Sequence, residues 1–109
     1  MGATRELSRE TLDEIVRRIV ETVHPEKIIL FGSAARGQMG PHSDVDLLVI
    51  KSNVDSLQAM ADIYRNLYGV GEAVDVNVAT PEDVERYGGV HALVIKPALT
   101  EGIVVYATA

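Results

Sequence analysis

The sequence predicts an α/β (α+β) fold in which a mixed β-sheet of three to four strands is flanked by helices. Amphipathic helical stripes alternate along the chain with short apolar runs of strand length. The composition is that of a globular protein, with 47 % hydrophobic and 24 % charged residues. At 109 residues the chain has room for one domain, which we expect to span residues 1–109.

The first helix is predicted to begin after Ser8, a typical N-cap residue, and to stop at His24 because Pro25 follows. The apolar positions of this helix recur at the spacing of one helical face: Leu12, Ile15, Val16, Ile19, Val20 and Val23. The uninterrupted apolar run that comes next, Lys27–Phe31, indicates a buried strand.

Two further strands and two further helices follow the same alternation. Residues 44–50 and 73–79 are predicted strands, the second with valines alternating with Asp75 and Asn77. Thr80 and Pro81 indicate a helix start, and residues 103–106 a final strand, whereas Gly88-Gly89 and Pro97 are expected to interrupt the helical pattern between them. The second helical stripe is expected to be buried, its tyrosines included: Leu57, Met60, Ile63, Tyr64, Leu67 and Tyr68.

Charge and composition exclude several classes of function. The formal net charge is −6, and binding to nucleic acid through its phosphates needs clustered lysine and arginine, so nucleic acid is disfavoured as a partner. The chain has no cysteine, which excludes disulfides and thiol nucleophiles. It shows no signal-peptide pattern and no membrane-length apolar run, so we expect a cytoplasmic protein without a membrane partner.

Acidic side chains mark the start of two predicted strands. Asp44 and Asp46 are two residues apart on one strand and therefore point to the same face, and Asp75 lies near the start of the next strand. Carboxylates that share one face repel each other unless a cation lies between them. Because all these ligands are oxygens, the expected ion is Mg²⁺ or Mn²⁺, with Asp44, Asp46 and Asp75 as metal ligands.

The same residues predict strand directions. Gly32 ends the first strand whereas Asp44 begins the second, so these strands must be antiparallel if both residues belong to one site. Asp75 is early in its strand, so that strand should be parallel to the second. The result is a mixed sheet.

A glycine-led turn supplies the other half of the expected site. Gly32 lets the backbone approach a ligand closely, and the helix start after it presents free N–H groups to a phosphate. The Ser33 hydroxyl and the Arg36 guanidinium, one turn further on, are candidate phosphate-binding groups. Carboxylates that hold a metal beside a phosphate cradle indicate phosphoryl or nucleotidyl transfer.

The motif Gly-Ser, ten residues, then Asp-x-Asp resembles that of the DNA polymerase beta-like nucleotidyltransferase superfamily. The wordings Phe-Gly-Ser-Ala-Ala-Arg-Gly and Ser-Asp-Val-Asp-Leu-Leu-Val are similar to those of the minimal nucleotidyltransferase (MNT) family. The resemblance implies that Gly32 and Ser33 bind the triphosphate of ATP and that Asp44 and Asp46 hold Mg²⁺. It implies for Asp75 a role as ligand or general base.

The resemblance also implies an activity and a partner. Family members transfer AMP or another nucleotide to an acceptor hydroxyl, and many minimal ones are antitoxins of a helical HEPN-type toxin. Some silence that toxin by AMP transfer to a tyrosine. A protein adenylyltransferase is therefore the leading hypothesis for this chain.

Two alternatives remain open from the sequence. Transfer to a small molecule, such as a hydroxylated antibiotic, would require an added pocket of the kind that a homo-oligomer forms. A binding module with a vestigial nucleotide site would neutralise its partner by contact alone. Labelling of an acceptor by ATP separates the two enzymes, and inhibition that survives loss of the aspartates would favour the binding module.

Overall fold

A computed structural model describes residues 6–86 and 92–108. These residues form one four-stranded sheet in the order β3-β2-β1-β4, with helices on both faces. In chain order the elements are α1 Arg9–Val23, β1 Lys27–Phe31, α2 Gly32–Ala35, β2 Val45–Ile50, α3 Ser56–Asn66, β3 Val74–Ala79, α4 Pro81–Arg86, α5 Ala92–Glu101 and β4 Ile103–Ala107.

The strand directions confirm the predicted mixed sheet. Strand β1 pairs antiparallel with both β2 and β4, and β2 pairs parallel with β3. The hairpin-like reversal between β1 and β2 brings the end of one strand beside the start of the other. The parallel strands β2 and β3 begin at that same end of the sheet, beside the end of β1.

Apolar clusters cover both faces of the sheet, which explains why β2 is apolar on both sides. On one face Val45, Leu47 and Val49 pack with α1 and α3. On the other face Leu48 and Ile50 pack with residues of α5. Since side chains alternate along a strand, the Asp46 side chain points to the face of the sheet that α5 covers. Asp46 lies near the start of β2, where the apolar residues of that face end.

The helix boundaries follow the predicted capping signals. The Ser8 hydroxyl accepts a hydrogen bond from the Thr11 N–H, and His24 ends α1 in a left-handed conformation with φ 48°. At the start of α4 the Thr80 hydroxyl accepts from the Asp83 N–H, and the Asp83 carboxylate accepts from the Thr80 N–H. This reciprocal pair is the arrangement of a capping box.

Several sequence predictions need correction. Helix α3 ends at Asn66, so Tyr68 lies outside it and is 90 % exposed, and within the helix Leu57 is 79 % and Tyr64 41 % exposed. All three were expected to be buried, but the helix turns only part of its apolar stripe towards the sheet. Helix α5 continues through Pro97, where a break was predicted. The predicted break at Gly88-Gly89 lies outside the described residues.

Small shifts at strand ends affect the site. Strand β2 begins at Val45, so Asp44 precedes it instead of opening it, and Asp44 is exposed. The final strand is confirmed as Ile103–Ala107. Within the described part of the chain, no helix has both the length and the apolar character needed to cross a membrane.

The Glu26 carboxylate joins the start of β1 to the segment after β2, and we expect it to make stability depend on pH. It accepts hydrogen bonds from the Ser52 hydroxyl and from the Ser52 N–H at 3.0 Å, which lowers the pKa of Glu26. A folded-state pKa below the unfolded one stabilises the protein above the unfolded pKa and ceases to do so as pH falls through the folded pKa. Urea unfolding should therefore show Glu26→Gln less stable by up to about 1 kcal/mol at pH 7 and nearly equal to wild type at pH 3.

A Glu10→Gln variant is the matched control for Glu26→Gln, because Glu10 is an exposed carboxylate on the first turn of α1. An equal difference between Glu26→Gln and wild type at both pH values would contradict the assigned role of Glu26.

Candidate active site

The centre of the site is a close approach between two neighbouring strand ends. The antiparallel register pairs Phe31 with Asp46, and the next residue, Gly32, turns the chain into α2. A Cβ atom on Gly32 would overlap Asp46 Oδ2 and would lie 3.2 Å from Asp46 Cγ. Gly32 also has φ +71°, a conformation that residues with side chains rarely adopt. Glycine is therefore required here both for backbone conformation and for space.

A second carboxylate lies beside Asp46 on the next strand. The parallel register pairs Asp46 with Asp75, and adjacent strands are about 4.8 Å apart. Asp44 lies two residues before Asp46. Burial raises the pKa of Asp46, the charges of Asp75 and Asp44 raise it further, and Arg36 lowers it. The three acids predicted from the sequence are thus close enough to interact electrostatically.

The segment after Gly32 carries the predicted phosphate-binding groups. Ser33 is half-buried in the first turn of α2, and its carbonyl accepts from the Gln38 N–H at 2.9 Å. N–H groups in the first turn of a helix have no partner within the helix. The Arg36 guanidinium donates to Glu101 Oε2 at 3.1 Å and to Gln38 Oε1 at 3.3 Å. These bonds hold Arg36 at the edge of the site, between α2 and the end of α5.

The acids fit a divalent cation by the chemistry of their oxygen donors, but they do not form a finished coordination shell. Over residues 6–86 and 92–108, no three carboxylate or histidine side chains converge to hold a metal ion. Asp46 is half-buried, whereas Asp44 and Asp75 are exposed. Carboxylate oxygens are ligands that Mg²⁺ or Mn²⁺ prefers, and the bound cation would neutralise the charges that repel one another.

Sequence reasoning missed two residues at this site. Asn77 is half-buried and lies on the same face of β3 as Asp75, opposite Leu48 in the register. The alternation along β3 already placed it there, but no chemistry was assigned to it. Glu101, the partner of Arg36, is 65 residues away in sequence, and no local pattern indicates that pairing.

The fold and site define a class of α/β proteins that place carboxylates from two parallel strands against a glycine at a helix start. The family model described as polymerase beta, nucleotidyltransferase, matches residues 13–109. The chain belongs to this nucleotidyltransferase family. No curated protein sequence matches the chain.

Solved structures with the same fold include chains of toxin–antitoxin complexes. One is a complex with AMP-PNP, with a TM-score of 0.65, 18 % identity, and coverage of 94 % of this chain and 75 % of that one. Another contains the tri-AMPylated Shewanella oneidensis HEPN toxin with its MNT antitoxin, with a TM-score of 0.62, 15 % identity, and coverage of 94 % and 74 %. A third is a mutant of the MntA–HpeT complex, with a TM-score of 0.65, 16 % identity, and coverage of 94 % and 75 %.

Substituting Gly32 should reveal its contact with Asp46, because the chain offers a matched control. Gly37 has a similar φ of +66°, and a Cβ there would meet no atom within 4 Å. Gly37→Ala should cost about 1–2 kcal/mol of unfolding free energy from backbone strain alone. Gly32→Ala should cost a further 1–3 kcal/mol, roughly the usual cost of overpacking, as measured by urea unfolding. Equal losses in the two variants would contradict the close approach.

Proposed function

We propose that this protein is a Mg²⁺-dependent nucleotidyltransferase that moves AMP from ATP to a hydroxyl group on a HEPN-type helical protein. The observation that carries this proposal is the position of the Asp46 carboxylate, packed against Gly32 on one side and paired in register with Asp75 on the other. This arrangement brings the turn after β1, which we propose binds phosphate, close to the acidic residues, and transfer at a phosphorus atom requires such proximity.

Asp44, Asp46 and Asp75 would hold Mg²⁺, or Mn²⁺ in its place. When bound, the ion would neutralise charge that develops on the phosphate oxygens. Backbone N–H groups at Gly32 and Ser33 would bind the triphosphate, with the Ser33 hydroxyl as a further donor. Arg36 lies close enough to lower the pKa of Asp46, which supports its guanidinium as a further group that would bind a phosphate oxygen.

In the proposed reaction, the acceptor hydroxyl oxygen attacks the α-phosphorus of ATP. A bond forms between that oxygen and phosphorus, the bond to the bridging oxygen breaks, and pyrophosphate leaves. The hydroxyl proton goes to a carboxylate, for which we propose Asp75. Strand β3 is an outer strand of the sheet and Asp75 is exposed, which supports access of an acceptor to this carboxylate.

Support for a HEPN-type acceptor comes from the fold neighbours. One neighbour pairs an MNT antitoxin with a tri-AMPylated HEPN toxin, and another contains a toxin–antitoxin pair with AMP-PNP. At 15–18 % identity these structures share the fold, and the acceptor of this chain is our proposal. An antitoxin role would follow if the modification silences the acceptor.

Removing the site carboxylates should abolish transfer. With ATP labelled at the α-phosphate, Mg²⁺ and a purified HEPN-type helical protein as the candidate acceptor, the acceptor should become labelled. Asp44→Asn with Asp46→Asn should reduce the labelling rate by a factor on the order of 100 or more, because preorganised charge stabilisation is lost. Asp13→Asn, an exposed carboxylate on α1, is the matched control and should leave the rate unchanged.

Three outcomes would contradict the proposal. Labelling that persists in the double variant would show that the chemistry occurs elsewhere. Labelling of hydroxylated small molecules but of no protein would favour a small-molecule transferase. Inhibition of the partner that survives both loss of the aspartates and removal of ATP would instead favour a binding module.

A further inference from the structure

Strand β4 is an open edge of the sheet that carries exposed apolar side chains on both faces. In the order β3-β2-β1-β4 it has a neighbour on one side only, so alternate N–H and C=O groups of Ile103–Ala107 point away from β1. Ile103 pairs with Leu30 on the face that α1 covers and is 50 % exposed. Val104 pairs with Ile29 on the α5 face and is 53 % exposed. An apolar edge of this kind is a template for pairing with another chain.

The sequence of this edge lacks the residues that usually protect an outer strand from pairing. Residues 102–109 contain no lysine, no other charged residue and no proline. A bulge at Val105 does interrupt the strand, because the register shifts between Ile28 and Ile29. Ile103 and Val104 precede the bulge and keep regular pairing with β1. The start of β4 is therefore the part of the edge that a second strand can join.

A groove with a volume of ≈ 290 Å³ lies between this edge and α1. Its apolar lining comes from both elements, namely Leu12 and Val16 of the helix and Ile103, Val104 and Val105 of the strand. The groove and the exposed start of β4 thus form one apolar surface, which we call the β4 surface. Contiguous apolar surfaces on a soluble domain mark sites of interaction more often than scattered apolar residues do.

Two exposed side chains of opposite charge line the β4 surface. Arg9 and Asp13 lie one turn apart on α1. Among residues 6–86 and 92–108 neither of them has an ion-pair partner, whereas Arg17 and Arg18 further along α1 pair with Glu14 at 2.6 and 2.7 Å. A surface with one charge of each sign is complementary to a copy of itself across a twofold axis. The β4 surface is therefore locally neutral, although the chain has a net charge of −6.

The opposite edge of the sheet is closed to a further strand. There the Tyr64 hydroxyl accepts from the Val76 N–H at 2.8 Å and donates to the Val76 carbonyl at 3.4 Å. These are backbone groups that β3 turns away from β2, so a strand that joined β3 would have to displace the tyrosine. Head-to-tail growth, in which β4 of one copy joins β3 of the next, is thereby opposed. Contact of β4 with β4 remains, and such a contact closes as a pair.

We propose that the β4 surface is the contact between two copies of this chain, with β4 antiparallel to β4 of the second copy across a twofold axis. Ile103 and Val104 pack against the second copy over the groove, and Arg9 of each copy pairs with Asp13 of the other. A second copy supplies the strand that this edge accepts, which a helical partner does not. Because β3 and β4 are opposite edges, the contact leaves Asp75 uncovered, and the proposal does not depend on nucleotidyl transfer.

The first test measures association of the full chain by sedimentation equilibrium. Between about 10 and 500 µM the wild type should pass from monomer to dimer, as expected of a small interface. Val104→Lys should raise the dimer dissociation constant about 10-fold or more, because a lysine on an edge strand opposes pairing. Circular dichroism should show an unchanged fold, since Val104 is 53 % exposed. Leu57→Lys is the matched control: Leu57 is 79 % exposed on α3, and its loss should change the constant by less than about twofold.

The second test reverses charges on α1 and leaves the strand untouched. Arg9→Asp alone, or Asp13→Arg alone, should raise the dissociation constant about fivefold or more, because like charges then face each other twice across the axis. The double variant, Arg9→Asp with Asp13→Arg, should return to within about twofold of wild type, since both cross pairs form again with reversed polarity. Both side chains are exposed, so these variants should fold even if Val104→Lys does not.

Several results would overturn the proposal. A wild-type chain that stays monomeric up to about 500 µM has no such contact. A dimer that Val104→Lys leaves unchanged, or a double variant no stronger than the single ones, places the contact elsewhere. Assemblies that keep growing beyond the dimer contradict closure by a twofold axis. A monomer in which Val104→Lys abolishes binding of a HEPN-type protein assigns the β4 surface to that partner instead.

Discussion

The candidate site depends on the packing of one carboxylate against one glycine. The antiparallel register of β1 and β2 places Asp46 opposite Phe31, so that Gly32, the next residue, lies under the carboxylate. A side chain on Gly32 would occupy the space that Asp46 fills. The turn proposed to bind phosphate and the acid proposed to hold a metal are thereby brought together by the backbone pairing of β1 and β2.

The electrostatics of this arrangement are unfavourable without a cation. Burial and the charges of Asp75 and Asp44 all raise the pKa of Asp46, and of the groups found to influence it only Arg36 acts in the opposite direction. Strands held by apolar clusters on both faces keep these acids together despite their repulsion. The repulsion between these carboxylates destabilises the fold, and a divalent ion would relieve it on binding. This relief of repulsion is the physical basis of the proposed function.

The C-terminal end of helix α5 contacts the site through Arg36. Glu101, the last residue of α5, holds Arg36 beside the acids. Gly102 follows, and a Cβ there would overlap the Ala98 carbonyl and the Ile29 side chain. Helix α5 thus packs closely on β1 before the chain enters β4, and the position of Arg36 is coupled to this junction.

The sequence by itself predicted most of the elements, the strand directions and the candidate site residues. Hydrophobic periodicity and caps are local signals, and the requirement that Gly32, Asp44 and Asp75 share one site was enough to orient three strands. Only the tertiary structure decided that Tyr68 is exposed, that Pro97 lies within a helix, that Glu101 binds Arg36, and that the carboxylates interact without forming a closed shell. These features depend on how helices are oriented over the sheet and on contacts between residues distant in sequence, for which neither periodicity nor spacing carries a signal.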